Sequence, residues 1–202
     1  MPPFIAFEGI DGSGKGTQAR LLFERLKELG RDVLLTAEPT KGQVGKIIRE
    51  HMANPFLDDR TLALLFAADR VEHIYREIIP ALESKKWVIT DRYVYSSLSY
   101  QGQSVDPGWL RSLNTFVLKP DLVVLLDLPT DSARDRLVRR ESAFESFEKD
   151  ISFQEGVRKS FLSYSRGQEL PPGLKTEFFV VDGSLDKGEI ATLIWDRVAT
   201  LK

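Results

Sequence analysis

Apolar residues recur along the chain in two alternating rhythms. PFIAFE (3–8), DVLLTA (32–37), WVITD (87–91), DLVVLLDL (121–128) and EFFVVD (177–182) are short, nearly unbroken apolar runs. That is the pattern of strands covered on both faces. Between them the apolar positions fall at helical spacing. The segment 15–29 carries Ala19, Leu22, Leu26 and Leu29 and stops at Gly30. VGKIIREHM (44–52) predicts a short helix, and 58–82 a longer one opened by the cap-like DDRT. A helical stretch follows the third strand, TDSARDRLVRR (130–140) follows the fourth, and helices are expected around 151–166 and over 187–201. PGWL (107–110) and LPPG (170–173) read as turns. Five strands alternating with helices predict an α/β fold, a five-stranded parallel sheet flanked by helices on both faces. No repeat or long linker divides the chain, so 1–202 reads as a single domain.

Four glycines crowd the junction of the first strand and first helix, in GIDGSGKG (9–16). Gly9 to Lys15 fit G-x-x-x-x-G-K, and the flanking strand and helix give the pattern its structural context. Successive backbone N–H groups of such a loop line a concave nest, and the helix N-terminus adds partial positive charge. Both favour phosphate. A nucleotide would thus be held by Gly9, Ile10, Asp11, Gly12, Ser13, Gly14, Lys15, Gly16 and Thr17, with Lys15 neutralising the β- and γ-phosphates. The Ser or Thr that usually follows the lysine is here Gly16, and Thr17 comes one place later, so the direct metal ligand is open.

Such a loop names only a nucleotide. Asp91-Arg92-Tyr93 ends the third strand, at the sheet edge where open α/β folds bind ligands. A carboxylate there can hold water on Mg²⁺, and an arginine can bridge two phosphates. Phe66 and Arg70 stand four apart, on one helical face, where a ring could stack a base and a guanidinium bond its edge. The alternative for that pair alone is a core phenylalanine and a solvated arginine.

Composition adds boundaries. The 202 residues are 42% hydrophobic, enough for one α/β-sized core. A formal charge of −2 gives no bulk attraction for nucleic acid or anionic membrane. The absence of cysteine excludes disulfides and thiolate metal sites. MPPFIAFEG has neither a basic n-region nor a long apolar h-region, so a soluble, cytoplasmic protein is expected.

Six blocks, FEGIDGSGKGTQ, EPT followed by GKIIRE, LLFAADR, DRYVYSSLSYQG, PDLVVLLDLP and VVDGS, together resemble the thymidylate kinases among the P-loop nucleoside monophosphate kinases. The resemblance covers nearly the whole chain. It implies the three-layer P-loop NTPase fold with a short lid at about 139–151, and transfer of phosphate from ATP, with Mg²⁺, to dTMP. It also implies roles for individual residues. Phe66 would stack on thymine, Arg70 would bond a base oxygen, and Ser97 would meet the N3 edge with Ser96 and Gln101 nearby. Tyr100 would pack under the deoxyribose. Arg49 and Arg92 would hold the acceptor phosphate, and Asp11 would lie by the sugar or a metal-bound water. Glu8, Glu38 and Pro39 would support the site, and Asp91 and Thr17 would serve the metal, through water. Because Gly12 and Ser13 are neutral, the lid should supply an arginine, Arg139 or Arg140. His51 and His73 are expected on helix surfaces. A homodimer is implied, through 58–82 and 106–117.

Two other readings compete. A uridylate, cytidylate or adenylate kinase shares the scaffold, with Tyr100 separating deoxyribose from ribose. A non-catalytic nucleotide-binding module would need the loop but neither Arg70 nor Arg92.

Overall fold

The computed structural model describes residues 2–139, 151–168, 170 and 173–201. Five strands, β1 (Phe4–Glu8), β2 (Val33–Ala37), β3 (Trp87–Asp91), β4 (Leu122–Asp127) and β5 (Glu177–Asp182), form one sheet. Their order is β2-β3-β1-β4-β5, and every neighbouring pair is parallel. The apolar runs thus mark the strands within a residue or so of their ends.

Period-two alternation decides which helices cover which face. Ile5 and Phe7 of β1 point to one side, where they meet Ala19, Leu22 and Leu26 of α1 (Lys15–Glu28). Phe4 and Ala6 point to the other side, into a cluster with Tyr95, Leu98, Val157 and Phe161. With helices on both faces, the sheet is the middle of three layers.

The remaining helices among the described residues are α2 (Gln43–Ala53), α3 (Asp59–His73), α4 (Ile79–Glu83), α5 (Val94–Tyr100), α6 (Pro107–Leu113), α7 (Thr130–Val138), α8 (Ile151–Ser165) and α9 (Lys187–Val198). Asp58 caps α3, its Oδ1 accepting from the backbone of Arg60 (2.9 Å) and Thr61 (3.0 Å). The long helix expected over 58–82 is continuous but contains a π-helical turn, Ile74–Ile78, between α3 and α4. PGWL is corrected: it opens α6 rather than making a turn. Asp106 accepts from Trp109 N at 2.8 Å, and Pro107 stands at the first helical position, where its missing N–H costs nothing. Arg139 caps α7, so that helix is shorter than expected. Arg140, most of the 139–151 lid and both prolines of LPPG lie outside the described residues.

The C-terminal ends of β1 and β3 lie side by side, with Phe7 opposite Asp91 in register. The glycine-rich loop therefore leaves β1 beside Asp91 and Arg92, at the sheet edge where ligands bind in this class of fold.

Candidate active site

Gly9, Gly12 and Gly14 all adopt positive φ, which a residue with a Cβ resists. Gly14 precedes α1 without any side-chain cap, so N–H groups of its first turn remain for a ligand. Lys15 is buried; its Nζ donates to Ile10 O (3.2 Å) and lies 3.5 Å from Asp11 Oδ1. Burial pulls the Lys15 pKa down, and nearby Arg92 adds to this, while Asp11, Asp91 and Glu8 oppose it. The loop opens onto a cavity of about 970 Å³, lined by Lys15, Gly16, Thr17 and Asp91 and also by Lys41 and Arg49.

Gly16 has a steric explanation. A Cβ there would lie 2.6 Å from Asp91 Oδ2, so a serine or threonine would displace the carboxylate. Asp91 Oδ1 is buried with no hydrogen-bond partner among the described residues, and so is Ser13 Oγ. An unpartnered carboxylate oxygen in a cavity shared with the Thr17 hydroxyl is a hard, all-oxygen donor set that fits Mg²⁺. Among the described residues no three His, Cys, Asp or Glu side chains cluster as a metal cage. The ion would draw its other ligands from phosphate and water.

Arg92 holds φ at 70°, the left-handed region. Such backbone persists only where its surroundings over-determine it. Here the Arg92 N–H donates to Phe7 O (2.9 Å), and Thr90 Oγ1 donates to Arg92 O (2.8 Å). The turn aims the guanidinium inward, where Nη2 donates to Asp11 Oδ1 (2.5 Å) and Nη1 to Ser96 Oγ (3.1 Å). The guanidinium also lies 5.0 Å from the Tyr100 ring centre. Burial disfavours the Arg92 charge, but Asp11, Tyr100 and Asp91 outweigh it and raise the pKa. Burial would likewise raise Asp11; Arg92 and Lys15 reverse this and hold its carboxyl below the usual carboxylate range. Beneath Arg92, fully buried Glu8 accepts from the backbone of Tyr93 (2.9 Å) and Ser96 (3.2 Å) and from Ser96 Oγ (2.6 Å). Desolvation nevertheless pushes Glu8 up to about 7, against those donors and Arg92.

A second cavity, of about 430 Å³, is lined by Asp11 and Arg92. Its walls bring together Glu38, Pro39, Phe66, Arg70, Ser96, Ser97, Tyr100 and Gln101. Arg49 is not among them. It lies on the wall of the first cavity, its Nη1 donating to the carbonyls of Pro39 and Thr40. Arg70 is buried rather than solvated. Nε (3.0 Å) and Nη2 (2.7 Å) donate to Glu38 Oε2, Nη2 also to Ser97 Oγ (2.7 Å), and Nη1 to Asn114 Oδ1 (2.6 Å). Its neighbour Asp69 accepts from the backbone (2.7 Å) and hydroxyl (2.6 Å) of Thr40. Consecutive residues of the ADR block thus fasten alternate residues of the EPT block. Gln101 Oε1 is buried and unpartnered among the described residues, an acceptor available to a ligand N–H.

The histidine expectation is corrected, since both side chains are buried. His51 Nδ1 accepts from the backbone of Phe56 and Leu57 (3.0 Å each), closing the turn after α2. His73 faces Glu38 and Thr36, for which a surface position offers no substitute. Arg139 is exposed at the end of α7 and lines neither cavity. Sequence reasoning missed Asn114 and the cavity-lining Met52, Leu62 and Phe153. Asp69 was legible as the residue beside Arg70, whereas Asn114, 44 positions from its partner, carried no local signal.

The family model for thymidylate kinase matches residues 7–194. A protein of Pyrococcus abyssi named probable thymidylate kinase is 48% identical over 166 residues, covering 79% of this chain and 80% of its own. One of Thermococcus kodakarensis with the same name is 42% identical over 201 residues, covering 95% and 96%. One of Methanococcus vannielii, also so named, is 46% identical over 162 residues, covering 80% and 77%. The sheet, the loop and the two adjacent cavities, which share Pro39, are thus those of a chain that belongs to the thymidylate kinase family.

Proposed function

We propose that this chain is an ATP-dependent thymidylate kinase, moving the γ-phosphoryl of ATP to dTMP to give ADP and dTDP for dTTP synthesis. The observation that carries this reading is the adjacency of the cavities. Lys15 and Asp91 line one, Phe66 and Arg70 the other, Pro39 lines both, and Asp11 on the second cavity's wall meets both Arg92 (2.5 Å) and Lys15 of the first (3.5 Å).

Phosphoryl transfer asks mainly for alignment and charge neutralisation, because the acceptor phosphate is already ionised. The loop N–H groups from Gly9 to Thr17, with Lys15, hold ATP. Arg92 and Arg49 hold the acceptor phosphate, and Arg92 exchanges Asp11 for phosphate oxygen as charge develops. Phe66 stacks on the base. Arg70, Ser97 and Gln101 read its edge, while Tyr100 occupies the space a 2′-hydroxyl would need. Glu38, Pro39 and Ser96 support these contacts. Mg²⁺, held through water by Asp91 with Thr17 nearby, would neutralise phosphate charge. A lid over about 139–151 of a single domain, carrying Arg139 or Arg140, completes the site and excludes water. We also propose a homodimer through α3, whose exposed Leu64, Val71 and the following Tyr75 make an apolar stripe, and a cytoplasmic location. No helix among the described residues is long and apolar enough to cross a membrane.

The test is ADP release from the purified protein with ATP·Mg²⁺, offering dTMP, dUMP, UMP, CMP and AMP separately. Turnover strongly favouring dTMP is expected. Preference for a ribonucleotide would overturn the acceptor assignment, and silence with all five would favour a nucleotide-binding module.

A further inference from the structure

Behind Arg70, away from the second cavity, Glu38 leads to three polar side chains, His73, Thr36 and Glu77, that the proposed chemistry does not use. Glu38 divides its carboxylate: Oε2 serves Arg70, while Oε1 lies 3.1 Å from His73 Nδ1. His73 Nε2 lies 2.9 Å from Thr36 Oγ1, which donates to Glu77 Oε2 at 2.7 Å. The His73 side chain is fully buried, whereas Glu77 is 41% exposed. Thr36 and Glu77 line the first cavity, so the line runs from that cavity's wall, past the end of β2, to the wall of the second cavity.

Its geometry follows from the helix. Arg70 and His73, three apart, share one face of α3, and Glu77 follows four residues later inside the π-helical turn. The proton at Nδ1 is fixed by its partner. A carboxylate that already accepts twice from Arg70 only accepts, so Nδ1 must donate to Oε1 whatever the state of Nε2. Arg70 has five N–H groups. Four are engaged with Glu38, Ser97 and Asn114, leaving one on Nη1 without a partner among the described residues.

We propose that His73 is a positioning residue for recognition of the acceptor base, acting through Glu38. By holding Oε1, it stops the carboxylate from turning both oxygens onto Arg70. The guanidinium then keeps one orientation, with a single N–H left for a carbonyl oxygen on the base edge. This rests on the reading of the second cavity as the acceptor site.

The test is steady-state kinetics with acceptor and ATP varied independently, for wild type and His73→Leu, His73→Asn and His73→Gln. Asparagine places its amide nitrogen near the position of Nδ1, and glutamine places its own near Nε2. His73→Leu should raise KM for dTMP roughly tenfold, the loss of one hydrogen bond to a charged group, with KM for ATP unchanged. Asparagine should restore most of this and glutamine should not. An unchanged dTMP KM in folded His73→Leu, or equal rescue by both amides, overturns the proposal. Should His73→Leu fail to fold, the contrast between Asn and Gln decides, with Thr36→Val as a further variant expected to raise the same KM by about threefold. Should wild type prefer another monophosphate, the acceptor reading fails separately, and the same split in KM for that acceptor decides the role of His73.

Discussion

Arg70 and Arg92 line the same cavity, yet the protein holds them differently. Arg70 is 1% exposed and makes four hydrogen bonds inside the protein, two of them to a single oxygen of Glu38. The Arg92 side chain is 18% exposed and makes two, and its partner Asp11 is 45% exposed and shared with Lys15. A guanidinium matched by its own buried carboxylate offers direction but little free charge. Two cations sharing one half-exposed carboxylate offer charge that a phosphate can claim. Reading a base requires the first arrangement, and stabilising a transferring phosphoryl group requires the second. The φ of 70° at Arg92 belongs to the same division, since under the proposed function it is strain held where the side chain meets the transferring phosphate.

Replacing each arginine by alanine breaks the comparison most strongly. Arg70→Ala leaves the buried Glu38 with His73 but without its guanidinium, which should cost about 3–5 kcal/mol of stability. Urea unfolding measures this, and a loss below about 1 kcal/mol would mean that Arg70 is not the structural anchor its contacts describe. Arg92→Ala should cost much less stability but reduce kcat roughly a hundred- to a thousandfold, the usual effect of removing a donor aimed at developing charge. Near-normal kcat with raised dTMP KM would assign Arg92 to binding alone.

The difference between the two clusters was only half legible in the sequence. The sheet was readable because unbroken apolar runs, β1 and β4 above all, are buried on both faces and need no other information. The placement of the loop and of Asp91-Arg92 at the sheet edge was readable because it depends on strand ends, which periodicity supplies. The polar interior was not. His73 looks like a surface residue by helical spacing, and its burial depends on Glu38, 35 positions away, and on Thr36. The saturation of Arg70 likewise depends on Asn114 and Ser97, brought in by other helices. PGWL failed for a different reason: Pro and Gly signal turns, but Asp106 before Pro107 is also a helix start, and only the bond to Trp109 N decides between them.

Glu8, beneath Arg92, sharpens the comparison through pH. Folding raises its pKa from 4.5 to about 7, chiefly by desolvation. Between those values the folded chain keeps a proton that the unfolded chain has released. The stability this contributes is complete below about pH 4.5 and is lost as pH rises through 7. At about 1.4 kcal/mol per unit, the span is worth roughly 3 kcal/mol. Glu8→Gln keeps the shape and an acceptor for the two backbone N–H groups, so its stability should lack this decline. Chemical unfolding at pH 5 and pH 8 for both proteins gives the answer, and parallel losses would place Glu8 outside the titration.

The smallest effect separates the clusters most finely, because it removes one neutral partner from each arginine. Asn114 accepts from Arg70 Nη1 while its own Nδ2 donates to Leu110 O at 2.8 Å. Asn114→Ala therefore strands a second Nη1 hydrogen in a place water does not reach, at about 2 kcal/mol. Ser96 accepts from Arg92 Nη1 and donates to Glu8 Oε2. Ser96→Ala should cost only about 1 kcal/mol, because Arg92 can turn toward Asp11 and solvent. It also removes a bond that lowers the Glu8 pKa, so the decline in stability should move to higher pH. Kinetics should split in the same sense, with Asn114→Ala raising KM for dTMP and Ser96→Ala leaving that KM unchanged while trimming kcat. If the two variants cost the same stability and move the same constant, the arginines are held alike, and the division between a fixed reader and a free charge fails.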